Sequence, residues 1–216
     1  MKQGLTDITA VVDESFSMMK TWLEIITGIN NFIEDQRTVE GDANLTMIKF
    51  DDFFNIIYSA VNIKTAPFLS KEMYKPRGNT ALLDAMGETI VLTGKRLAAL
   101  PESERPEKVI ILFQTDGEEN ASKKYTKPQI DEMIKHQKEV YNWDFIFLGA
   151  NQDAIGAGTS LGVSAGNSMS YAQTNAGTIN LFSAVSKNMR SYRGADYEFK
   201  KSNFFDDSDR TESMSK

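Results

Sequence analysis

Residues 7–17 read DITAVVDESFS: a β-branched, apolar run that stops at an acid, after which two serines recur at alternate positions. A short run of this composition is what a strand buried on both faces looks like. The period then changes. Trp22, Ile25, Ile29 and Phe32, with Ile26 and Ile33 beside them, recur every three or four residues and predict a helix to about Gln36. Strand followed directly by helix is the unit from which parallel sheets are built, so the rest of the chain is read for repeats of it.

The repeats are there. ANLTMIKF (43–50) and FNIIYSAV (54–61) predict two strands joined as a hairpin across Asp51 and Asp52. Leu83, Met86, Ile90 and Leu97 mark a second helix, and KVIILFQT (108–115) is a strand ending at a turn of Asp116 and Gly117. Thr126 with Gln129 makes a capping box, Pro128 suits a first turn, and Ile130, Met133 and Val140 supply the apolar side of a third helix. WDFIFLGA (143–150) is again a buried strand. The stretch 149–177, rich in Gly, Ala, Ser and Asn, reads as loops around a short helix and an edge strand near Val163, with a flexible binding lid as the alternative. Ile179, Phe182, Val185 and Met189 mark the last helix. The fold class is α/β: an open, mainly parallel sheet with one antiparallel edge strand from the hairpin and helices on both faces. A single domain is expected over residues 1–195, followed by a polar, acidic, partly disordered tail at 196–216.

Composition narrows the function. The 216 residues are 41% hydrophobic and 25% charged, enough to bury a core in one α/β domain. With 24 basic against 30 acidic residues the net charge is −6, and no dense basic run offers a path for a phosphate backbone, which argues against nucleic acid. No apolar run approaches the roughly 18 residues that span a membrane, and the first residues hold no apolar signal core, so a cytoplasmic protein is expected. The absence of cysteine removes thiol nucleophiles and zinc-thiolate sites, and His136 is the one histidine.

In open α/β sheets ligands bind outside the carboxyl ends of the strands, where strand order reverses. Three segments bring oxygen ligands there: Asp13, Ser15 and Ser17 in DESFS, Thr80 in the loop PRGNTALLD, and Asp116 after the fourth predicted strand. These are hard oxygen donors suited to Mg²⁺, or to Mn²⁺ or Ca²⁺. Alternate spacing lets three side chains of DESFS face one point. Singly, each residue has an ordinary role: Ser15, Ser17 and Thr80 as helix caps, Asp116 with Gly117 as a turn. Capping alone does not require an acid and three hydroxyls to converge from separate segments.

The D-x-S-x-S pattern at 13–17, the threonine of GNTALLD and TDGEEN (115–120) together resemble the metal-ion-dependent adhesion site of the von Willebrand factor A domain family. The resemblance covers about residues 5–192, and FLGANQDA (147–154) is similar to small stand-alone members from bacteria and their viruses. It implies a Rossmann-like fold whose one divalent cation binds an acidic residue of a protein partner. It further implies that Ser15 and Ser17 coordinate the metal directly, that Asp13 acts through water or by holding the hydroxyls, and that coordination by Thr80 and Asp116 changes with ligand. Glu14 and Phe16 stand where the family often has small residues. The expected partner rim is Glu14, Phe16, Arg77, Asn79 and Glu118, with Phe16 either an apolar anchor or a ring turned in against the first helix. The expected function is a cation-dependent, non-enzymatic binding module. Two alternatives stay open: an assembly protein whose metal only staples loops, and a Mg²⁺-dependent phosphohydrolase, for which Ser15 stands where a second carboxylate is often found and no phosphate loop or histidine base is near.

Overall fold

The computed structural model describes residues 1–116, 118–150, 153–194 and 203–215. Gly117 of the expected turn, Asn151 and Gln152 of FLGANQDA, and positions 196–202 and 216 of the expected tail lie outside the described residues. Six strands, β1 (Lys2–Asp13), β2 (Ala43–Phe50), β3 (Phe54–Asn62), β4 (Pro106–Thr115), β5 (Asp144–Ala150) and β6 (Ser168–Tyr171), form one sheet in the order β3-β2-β1-β4-β5-β6. All neighbours pair in parallel except β2 with β3, the expected hairpin. Strand order reverses at β1, whose Val12 lies beside Lys49 of β2 and Gln114 of β4. The crevice that such sheets use for ligands therefore opens at the ends of β1 and β4.

Burial on both faces explains the run after Asp7. Ile8, Ala10 and Val12 enter a core with Ile25, Ile29 and Ile33 of α1 (Trp22–Arg37) and Leu181, Val185 and Met189 of α5 (Asn175–Gly194). Val11 points the other way, into a core with Met86 and Ile90 of α2 (Leu82–Ala98) and Ile130 and Ile134 of α3 (Lys127–Tyr141). Each such aliphatic side chain contributes about 1.5–3 kcal/mol on burial. On α3 the expected Val140 is exposed, since Ile134 takes the inward position nearest the helix end.

The segment after β5 holds the expected short helix, α4 (Ala154–Ser160), but the edge strand is β6, five residues beyond Val163. Val163 is buried in the loop between them, which is why its apolar character marks core and not strand. Residues 203–215, expected to be part of a frayed tail, instead carry α6 (Asp207–Ser213). Polar contacts hold it: Asp209 accepts from Lys187 Nζ (2.5 Å) and Asn188 Nδ2 (2.7 Å), Ser213 Oγ donates to Ser170 O (2.8 Å), and Phe205 is 1% exposed. Among the described residues no helix is long and apolar enough to cross a membrane.

Candidate functional site

β1 ends at Asp13, which is fully buried. Its two carboxylate oxygens accept from Ser15 N–H (2.7 Å) and from the Thr115 hydroxyl at the end of β4 (2.5 Å), while Tyr74 donates to its carbonyl (2.5 Å). Burial pushes the Asp13 carboxyl up to about 7, against the opposing pull of the Thr115 and Ser15 hydrogen bonds. Asp13 thus braces the strand end from beneath.

The chain then turns, and the extended backbone of Ser15 (φ −63°, ψ 162°) leads into a 3₁₀ turn at Phe16–Lys20 that its side chain does not cap. The Ser15 hydroxyl lies instead 2.9 Å from the Ser17 hydroxyl, which donates to Asp116 Oδ1 at 2.5 Å. Burial is the main cause lifting the Asp116 carboxyl above its ordinary value, and the Ser17 hydrogen bond opposes it. A continuous chain of side-chain oxygens therefore joins the end of β1 to the end of β4.

Thr80 reaches the same loops through its backbone. Its N–H donates to Asn120 Oδ1 (3.0 Å), its carbonyl accepts from Asn120 N–H (3.1 Å), and the N-cap position of α2 falls to Ala81, which has no side-chain acceptor for capping. Glu119 takes that task, accepting from Leu83 N–H (2.9 Å). The loop before Thr80 is pinned to the serine turn by Arg77 N–H to Glu14 O (2.7 Å) and Phe16 N–H to Gly78 O (3.1 Å). Ser15, Ser17 and Asp116 are thus linked side chain to side chain, Asp13 reaches them through the Ser15 N–H, and Thr80 is held nearby by main chain. Among the described residues no group of three or more His, Cys, Asp or Glu side chains is placed to hold a metal ion; three of the five candidate donors, Ser15, Ser17 and Thr80, are hydroxyls, and oxygens of this kind suit a hard divalent cation.

Solved structures share this architecture. The vWF domain of the type V pili tip protein Mfa5 from Porphyromonas gingivalis matches with TM-score 0.63 at 11% identity, over 88% of this chain and 97% of that one. Proximal thread matrix protein 1 from the mussel byssus matches with TM-score 0.61 at 14% identity, over 87% and 46%. A von Willebrand factor type A protein from Catenulispora acidiphila matches with TM-score 0.56 at 12% identity, over 86% and 43%. The chain has the von Willebrand factor A fold. It spans less than half the length of the byssus and Catenulispora chains. Another structure of the byssus protein, with TM-score 0.57 at 14% identity over 86% and 46%, is described as having a zinc-occupied MIDAS motif. No protein-family model and no curated protein matches the chain.

Within this A fold the expected rim is partly corrected. Glu14 is not on it. Its side chain is 1% exposed and turns in to accept from Lys49 Nζ of β2 and from Lys75 N–H, both at 2.8 Å. Phe16 is 66% exposed, the outward of its two expected orientations. Arg77 is half-exposed and donates to Asp51 (2.8 Å), Asn79 donates twice to Asp52, and Glu118 is exposed. Asp51, read as a turn residue, is buried beneath Arg77.

One residue at the A-fold site went unread. Gln173, between β6 and α5, donates from Nε2 to Asp116 Oδ2 and to the Ser17 carbonyl (3.0 Å). No local pattern in YAQTNAG marks it, since its partners lie far away in sequence. Below the site, Gln114 Nε2 donates to the Tyr171 hydroxyl (2.6 Å), and Tyr74 and Tyr171 are fully buried aromatic supports that periodicity did not reveal.

Proposed function

We propose that this chain is a divalent-cation-dependent protein-binding module that recruits an acidic residue of its partner. The observation that carries the reading is the run Ser15 Oγ, Ser17 Oγ, Asp116 Oδ1, with successive separations of 2.9 and 2.5 Å, at the ends of β1 and β4. Ser15 and Ser17 would hold Mg²⁺, Mn²⁺ or Ca²⁺ through neutral hydroxyls, Asp116 and Thr80 would complete the protein's share, and Asp13 would orient Ser15 through its hydrogen bond to the Ser15 N–H. When bound, the ion supplies a positive charge that so few carboxylates under-neutralise, which favours an incoming carboxylate. The zinc-occupied motif described for the byssus protein, in the same fold, supports a metal at this place. Phe16, Met19 and Leu23, all exposed and spaced three and four residues apart next to Ser17, supply apolar surface on which a partner gains affinity. Burial of Glu14 removes one negative charge that would face that partner.

Hydrolysis is the weaker reading. His136 sits on α3 against Tyr141, and the hydroxyls near Asp116 are bound to each other and to its carboxylate, with no histidine beside them. The test is retention of a partner on immobilised chain in Mg²⁺ against chelator, beside Ser15→Ala/Ser17→Ala. Loss in both supports the adhesive reading. Unchanged retention transfers support to a site that only staples loops, and turnover of a phosphate ester that disappears in Asp13→Ala would replace both with an enzyme.

A further inference from the structure

Gln173 occupies a position at the site that the binding reading does not use. Its carboxamide N–H groups donate to Asp116 Oδ2 and to the Ser17 carbonyl, so a neutral donor already satisfies the outer oxygen of a carboxylate that a cation would claim. An ionised carboxylate offers about four lone-pair sites on its two oxygens, so the Gln173 N–H and a cation compete where the cation binds through Oδ2 as well as Oδ1.

Both neighbours of Gln173 are tied to the end of α6. Ala172 N–H donates to Ser213 O (2.9 Å) and the Thr174 hydroxyl donates to Ser215 O (3.0 Å). The joint is also closely packed: a Cβ on Gly177 of α5 would fall 2.3 Å from Ala172 O and 2.9 Å from Ser213 O, so only glycine lets α5 approach it. α6 is in turn fastened to the edge strand and its approach, with Arg210 donating to Ser168 O (2.6 Å) and Ala165 O (3.1 Å). Asp209 fastens the same helix to α5. Four sets of contacts thus converge to point one side chain at Asp116.

We propose that Gln173 is a built-in competitor for the cation at Asp116, held there by residues 203–215, so that loosening this segment raises the affinity of the site. The proposal rests on the cation-binding reading and adds its regulation. It makes the α6 segment a clasp: cation binding displaces the Gln173 carboxamide and loosens the Ala172 and Thr174 ties, and anything that pulls α6 away favours the cation in return, by linkage.

The experiment titrates metal-stripped full chain with Mn²⁺, followed by electron paramagnetic resonance of the free ion, for wild type, Gln173→Ala, Arg210→Ala and Ser15→Ala/Ser17→Ala. Deleting a hydrogen bond to a charged acceptor is expected to tighten Mn²⁺ binding about tenfold in Gln173→Ala, with a smaller gain in Arg210→Ala. Amide exchange at Ala172 is expected to quicken on saturation with Mg²⁺. Weaker or unchanged binding in Gln173→Ala overturns the competitor and leaves the cation site standing, whereas a gain in Gln173→Ala that exceeds the gain in Arg210→Ala is the result the competitor predicts. Equal affinity of wild type and Arg210→Ala, with no change in exchange at Ala172, overturns the clasp. If neither wild type nor Gln173→Ala binds Mn²⁺, or if the double serine variant binds as wild type does, the site reading itself fails and the competitor with it.

Discussion

Asp13 illustrates how burial of one side chain couples folding to pH. Its carboxyl is raised from an ordinary 3.8 to about 7, chiefly by burial, so in the cation-free protein the folded state holds the proton more tightly than the unfolded chain does. A raised carboxyl contributes stability that is complete below its unfolded value and is lost as pH climbs through about 7. Chelated protein should therefore melt at lower temperature at pH 8 than at pH 5, and a divalent cation should bind more weakly at pH 5 because the proton competes. Thermal melts at the two pH values, with and without Mg²⁺, check both signs; a chelated melting temperature that does not fall between pH 5 and pH 8 would contradict the burial argument. Glu14 shows what residue type alone leaves open. DESFS names an acid at position 14, yet only the fold supplies Lys49 from β2 to receive it.

At the scale of elements, legibility followed the apolar residues. β1, α1 and α2 were readable because Ile8, Ile25, Ile29, Met86 and Ile90 are buried at the period that their elements impose. α6 was not, because it is docked through Asp209 and Ser213, whose burial is compensated by partners that the local sequence does not contain. Phe205, just before it, is the exception, and Phe205→Ala should cost about 3–5 kcal/mol in urea unfolding if the segment is part of the cooperative unit. A loss below about 1 kcal/mol would mean that residues 203–215 unfold separately. A second test joins sheet to helix: Arg96 of α2 pairs with the wholly buried Asp7 of β1 at 2.5 Å. Removing one partner of a buried pair leaves its charge uncompensated, so Arg96→Met is expected to destabilise by about 3–5 kcal/mol near neutral pH. The loss should shrink in acid, since burial already lifts the Asp7 carboxyl and protonation removes the stranded charge.

For the whole molecule, the sheet order predicts where chemistry sits. With β1 and β4 adjacent at the reversal, the two aspartates that follow their apolar runs end up at neighbouring strand ends, while the connecting segments send Met18, Leu69 and Tyr74 into the core and keep Ser17 and Asn79 outside it. That much of the site was legible, because strand ends, hydroxyl spacing and the order of the three segments are local or sequential properties. Gln173 and the buried tyrosines were not, because their place is decided by how β6 and the loop before Thr80 pack. The same division separates binding from folding, so substitutions of Ser15 and Ser17 should leave circular dichroism and cooperative melting near those of wild type. The most direct measurement is isothermal titration of metal-stripped protein with Mg²⁺ and Mn²⁺, wild type beside Ser15→Ala/Ser17→Ala. One-to-one saturable binding that the double variant loses while remaining folded is the predicted result. Equal binding by the two proteins, or none by wild type at millimolar ion, would contradict a cation held by these hydroxyls.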